Sequence, residues 1–241
     1  MGVAPTSTSS PSSGEAVRWA SDGDPIHGWL VRPDRAEPPA PCVILLHEWW
    51  GLADHVKTVA QRFAREGYVA LAPDLYSRLG SKVAQDPREA TALMNAVSAQ
   101  AILRDLNAAT QYLKAQPFVD PWRIGVVGFS MGGTFALTQA THNSDLKAAV
   151  VWYGKVPPIE SLDALLCAVL YHYAAKDTWV TKQEVDRLSQ GLAQFGKPGE
   201  VVTYAECSHG FFNETQPDVY RSAEAEDAWR RTLRWLATYM R

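Results

Sequence analysis

At 241 residues, with 23 Lys and Arg set against 26 Asp and Glu for a net charge of -3, the chain is long enough for one large α/β domain and carries no basic footprint. That balance argues against nucleic acid as a partner, and no apolar run approaches membrane-spanning length, so a soluble protein with no membrane partner is expected. Cys42, Cys167 and Cys207 show no paired spacing and no His companions at zinc-finger intervals, so they read as buried reduced thiols of a cytoplasmic protein, with no metal site.

Residues 1–14 are rich in Ser, Thr and Pro and offer nothing to bury, which predicts a disordered tail ahead of a single domain over 15–241. They also lack the apolar core of a secretory signal. Two stretches, 15–20 and 25–32, flank Ser21-Asp-Gly-Asp24 and predict an antiparallel hairpin at a sheet edge. A proline-rich loop is expected over 33–41. The continuous apolar run 42–46 then has the composition of a central parallel strand covered on both faces. Residues 54–66 read as a helix with Val56, Val59, Ala60, Phe63 and Ala64 on one side, ended by Gly67. The next strand is 68–72. Across 86–116 the composition is helical, and Ile102, Leu106, Ala109 and Leu113 form one apolar stripe, which predicts a single crossover helix.

The short β-branched strand 123–128 runs into Gly128-Phe129-Ser130-Met131-Gly132, and helix-forming residues follow over 133–140. A G-x-S-x-G between strand and helix is a nucleophile elbow: the glycines allow backbone crowding that a Cβ would forbid, so the serine hydroxyl stands clear of the sheet. The helix that starts there offers unpaired N–H groups and the positive end of its dipole to an oxyanion beside Ser130, with Met131 N–H the nearest donor. Beyond it the alternation continues with strands at 146–153, 165–173 and 200–204 and helices at 182–195 and 223–239. This pattern predicts an α/β fold, a mostly parallel doubly wound sheet with helices on both faces and the N-terminal antiparallel hairpin at its edge. Sites in such sheets gather at the carboxyl ends of strands.

Two of those ends carry Asp177, in Ala-Ala-Lys-Asp, and His209, in Cys-Ser-His-Gly-Phe. The chain order Ser130, Asp177, His209 is that of α/β-hydrolases. His209 can take the serine proton and return it to a leaving group, and Asp177 can fix the imidazole tautomer. His27 in the hairpin, His55 opening a helix, His142 at a helix end and His172 within a strand are poorer candidates.

The loop His47-Glu48-Trp49-Trp50-Gly51 follows the central strand, where many hydrolases place the second oxyanion donor. Here the chain resembles the dienelactone hydrolase family: HEWWGL, PDLYSR, GFSMGG, the Asp177 loop and SHGFF carry the likeness from about residue 25 to the final helix. The resemblance implies a single-domain α/β-hydrolase that cleaves a small ester or lactone with no metal or organic cofactor. It implies Ser130, Asp177 and His209 as the triad, Trp49 and Met131 N–H as the oxyanion hole, and Glu48 as a carboxylate beside the nucleophile.

The chain departs from the family in two places. The best-known members carry cysteine where Ser130 stands. Members that cleave dienelactone also clamp the substrate carboxylate with two arginines, of which Arg78 matches one while Asn213 stands at the position of the other. A different ester is therefore expected. Trp49, Trp50, Trp152 and Trp179 lie in or beside the site loops and could wall an acyl pocket, with Trp152 equally readable as core. The expected function is carboxylic-ester hydrolysis through an acyl-serine. A thioesterase or peptidase on the same fold, or a small-molecule-binding protein without turnover, are the alternatives. The sequence says nothing of oligomeric state.

Overall fold

The computed structural model describes residues 13–34 and 39–241, so the expected tail lies, but for Ser13 and Gly14, outside the described residues. The hairpin pairs β1 (Glu15–Ser21) with β2 (Asp24–Val31). Its two-residue loop has Asp22 at φ 50 and Gly23 at φ 85, the two positive angles that match the twist of paired strands. Next come β3 (Ala40–Leu46), α1 (Asp54–Arg65), β4 (Val69–Pro73), α2 (Pro87–Ala96), α3 (Ala99–Lys114) and β5 (Val119–Phe129). The rest is α4 (Met131–His142), β6 (Leu146–Trp152), β7 (Ala168–Ala174), α5 (Lys182–Gln194), β8 (Gly199–Tyr204) and α6 (Ser222–Tyr239).

The strands form one sheet in the order β1-β2-β4-β3-β5-β6-β7-β8, antiparallel from β1 through β4 and parallel from there on. This is the α/β architecture expected, with the hairpin at one edge. Strand β3 is completely sandwiched: Cys42, Ile44 and Leu46 join the core under α2 to α5, and Val43 and Leu45 join the core under α1 and α6. Burial on both faces explains why its sequence is apolar without alternation. No helix among the described residues is long and apolar enough to cross a membrane.

The structure corrects several element boundaries, among them the start of β5, which lies at Val119 rather than at residue 123. Strand β3 starts at Ala40 rather than after the proline loop, because Ala40 N–H donates to Phe118 O at 3.0 Å and pairs Ala40 with Val119. The crossover expected as one helix over 86–116 is broken between α2 and α3. Val97 is extended at ψ 140, and the Ser98 side chain accepts from Ala101 N at 3.3 Å, so a new N-cap starts there. Residues Ile159–Ala164 form short helical turns, and β7 begins only at Ala168, because Leu162 of those turns packs against α5 at Gly191.

Candidate active site

At the end of β5 the backbone turns sharply. Ser130 holds φ 53 and ψ -117, a conformation that a residue with a side chain rarely adopts, and α4 starts at the next residue. Hydrogen bonds fix this strain: Ser130 N–H donates to Trp152 O at 2.9 Å, and Ser130 O accepts from Thr134 N at 3.0 Å. The two motif glycines are required by contact. A Cβ at Gly128 would lie 2.1 Å from Gly132 O, and one at Gly132 would lie 2.2 Å from Leu46 O. The start of α4 is thereby pressed onto the end of β3, next to the His47–Gly51 loop.

The structure brings Ser130, His209 and Asp177 together from three separate strand ends. Ser130 Oγ lies 2.8 Å from His209 Nε2, and His209 Nδ1 lies 2.7 Å from Asp177 Oδ2. The Asp177 side chain is fully buried, and its other oxygen accepts from Trp179 N at 2.7 Å and Val180 N at 3.0 Å. An ionised carboxylate held this way can only accept from Nδ1, which assigns the ring proton there and leaves Nε2 free to accept from the serine. Tyr153 and Trp179 flank the imidazole at ring separations of 5.0 and 5.1 Å.

The loop after β3 is held from below by His47, which is buried. Leu75 N–H donates to His47 Nε2 at 3.0 Å, so the ring proton sits on Nδ1 and is donated to Glu48 O at 2.6 Å. Gly51 N–H also donates to Glu48 O, and Tyr76 Oη donates to Trp49 O at 2.8 Å. Both carbonyls of the Glu48-Trp49 pair are thus engaged. Gly51 sits at φ 93, where a Cβ would meet Lys82 O at 2.5 Å.

Glu48 projects from this loop into a buried position beside His209. Its Oε2 accepts from Asn213 Nδ2 at 2.7 Å and its Oε1 from Tyr153 Oη at 3.3 Å. Burial pushes its pKa up, against the lowering effects of the Asn213 hydrogen bond, the nearby His209, the Tyr153 hydrogen bond and His47. Tyr153 itself sits at φ 43, a second strained non-glycine residue at a strand end.

The expected substrate-facing residues divide. Trp50 lines a cavity of about 280 Å³ beside Glu48, and half-buried Trp179 flanks His209. Trp152, by contrast, is completely buried, tilted against His172 and Phe212 at 4.4 Å each, so it is part of the core. Arg78 is likewise corrected. Its guanidinium makes two bonds to Asp105, at 2.9 and 2.8 Å, with further bonds to Asp24 and the Ser21 carbonyl, so these partners consume the fork that would clamp a substrate carboxylate. Asn213 reaches the cavity wall, but its amide is spent on Glu48 and on Thr215, which donates to Oδ1 through both N–H and Oγ1.

Sequence reasoning did not single out His47, Tyr76 or Tyr153. Each stands at or just beyond the carboxyl end of a strand, the one signal that could have found them.

The dienelactone hydrolase family model matches residues 26–240. A Yersinia pestis protein named "Putative carboxymethylenebutenolidase" is 31% identical over 233 residues, which cover 91% of this chain and 86% of that protein. The protein usf of Aquifex pyrophilus is 33% identical over 239 residues, covering 94% of this chain and 99% of its own. A crystal structure described as a putative dienelactone hydrolase from Klebsiella pneumoniae superposes with a TM-score of 0.86 at 31% identity, covering 94% of this chain and all of that one.

Proposed function

This chain belongs to the dienelactone hydrolase family, and we propose that it hydrolyses a small carboxylic ester or lactone through an acyl-serine intermediate on Ser130. The observation that carries this reading is the continuous hydrogen-bonded series from Ser130 Oγ through His209 to Asp177, with separations of 2.8 and 2.7 Å. His209 Nε2 takes the hydroxyl proton as Ser130 Oγ forms a bond to the carbonyl carbon, and the carbonyl oxygen becomes an oxyanion. Trp49 and Met131 N–H are the donors for that oxyanion. Collapse expels the alcohol, which takes the proton from His209; water then repeats the two steps and frees the acid.

Glu48 has a supporting role here. A serine hydroxyl does not ionise near neutral pH, so its activation rests on His209 rather than on a second carboxylate. Glu48 then serves by holding the oxyanion loop through Asn213 and Tyr153.

The experiment that tests this function is labelling with a fluorophosphonate followed by peptide mass spectrometry. One adduct, on the peptide carrying Ser130, is expected. A chain that hydrolyses no ester and takes up no label would instead be a binding protein on this fold.

A further inference from the structure

The cavity beside Glu48 has a composition that selects its occupant. At about 280 Å³ it is sized for a small organic group, with Trp50 on its apolar side and, on its wall, Asn213 and Glu48, which has His209 nearby. Its remaining polar wall includes His55, Gln85 and Gln216, and no Lys or Arg lines it among the described residues. His55 supplies no charge in their place. Burial, with Arg62 nearby, lowers its pKa to about 4, and its Nδ1 is buried with no hydrogen-bond partner among the described residues.

A carboxylate entering this space would shed its hydration, find no Lys or Arg in the lining to pair with, and meet the carboxyl of Glu48. An uncharged amide or hydroxyl would find donors and acceptors on the glutamines and an apolar wall in Trp50. We propose that this cavity is the specificity subsite of the enzyme and receives an uncharged, hydrogen-bonding substituent of the ester, such as a carboxamide, in preference to a carboxylate. This rests on the esterase reading above and adds the substrate class to it. Arg78, locked to Asp105 and Asp24, leaves the selection unopposed.

The test compares kcat/KM for two matched pairs: 4-nitrophenyl esters of adipamic and adipic acid, and acetate esters of 4-hydroxybenzamide and 4-hydroxybenzoate. Gln216→Lys and Gln85→Lys, on the cavity wall and outside the Ser130–His209–Asp177 series, are assayed beside the wild type, with 4-nitrophenyl acetate as the reference. In at least one pair the wild type should favour the carboxamide by about tenfold or more, the scale of one charge-assisted bond. At least one lysine variant should bring that pair near parity, each rate being taken relative to the same variant's rate on the reference ester. Equal or better wild-type use of the carboxylates, or a carboxamide preference that neither lysine alters, would overturn the subsite. Failure of the wild type to hydrolyse even 4-nitrophenyl acetate would instead remove the esterase reading, and this inference with it.

Discussion

Asn213 Nδ2 donates to Glu48 Oε2 at 2.7 Å, and its orientation is dictated by Thr215, whose N–H at 3.0 Å and hydroxyl at 2.7 Å both donate to Asn213 Oδ1. The Asn213 amide cannot flip without facing two donors with a third. Glu48 is therefore presented with a fixed N–H on one oxygen and Tyr153 Oη on the other, the environment of a positioned side chain.

From this follows the behaviour of Glu48 variants. In Glu48→Gln the new Oε1 can still accept from Asn213 and the new amide can face Tyr153, so most activity on a neutral ester should remain, within about tenfold of wild type. Glu48→Ala should lose more, through loosening of the loop that carries Trp49. Stability supplies a second readout. The folded-state pKa of Glu48 is raised, so whatever its ionisation costs is absent below 4.5 and grows as pH rises through the folded value. Glu48→Gln should therefore gain stability over wild type as pH increases, measured by urea unfolding at several pH values. If Glu48→Gln is as inactive as Ser130→Ala at every pH, the glutamate is an acid or base in the reaction.

Asp177→Asn has a sharper expectation. Because Trp179 and Val180 N–H both donate to Asp177 Oδ1, an asparagine would keep its oxygen there and turn its NH₂ toward His209 Nδ1. That forces the ring proton onto Nε2, which can then no longer accept from Ser130. Ester turnover should fall on the order of a thousandfold or more, with a melting temperature shift of a few degrees at most. Near-normal kcat would mean that another group orients the imidazole.

Arg78→Ala should lower stability and spare catalysis. The side chain ties the loop after β4 to α3 through Asp105 and to the hairpin through Asp24 and Ser21 O. Losing a partly buried bidentate pair should cost roughly 1–3 kcal/mol, a fall in Tm of several degrees by calorimetry. The ratio of rates on neutral and carboxylate esters should stay within about twofold of wild type. A selective loss on the carboxylate ester would return Arg78 to the substrate site.

His172 should make the fold acid-sensitive. It is wholly buried on β7, with Nε2 3.0 Å from Thr232 Oγ1 and Nδ1 unpartnered among the described residues, and burial lowers its pKa from 6.5 to about 3. Below 6.5 the unfolded chain takes up a proton that the folded chain refuses, so stability falls as pH drops toward 3. Between pH 6.5 and about pH 5 the loss from this group is on the order of 2 kcal/mol. In urea titrations His172→Gln should show a shallower decline over the same range, whatever its absolute stability. An unchanged slope would refute the neutral, buried state.

Much of this architecture was legible because its signals are local. The apolar run of β3, the stripe of α3 and the glycines around Ser130 each follow from a few consecutive residues. Asp177 and His209 were reachable because the site must lie at strand ends. What escaped depends on facing and on distant pairing. Trp152 sits on a strand buried on both faces, so alternation could not say which way the ring points. Arg78 lies in a site-like motif, yet its partners Asp24 and Asp105 are 54 and 27 residues away in sequence. The break at Ser98 was masked by helix-forming residues on both sides, although serine itself is a cap signal.

The central claim, an acyl group carried by Ser130, is tested most directly by acid-quenching the full chain during turnover of 4-nitrophenyl acetate and locating the acetyl group by peptide mass spectrometry. The account predicts an acetylated peptide containing Ser130 in the wild type, and neither that peptide nor turnover above a small residual in a folded Ser130→Ala variant. Acetylation at a different residue, or wild-type turnover by Ser130→Ala, would contradict it.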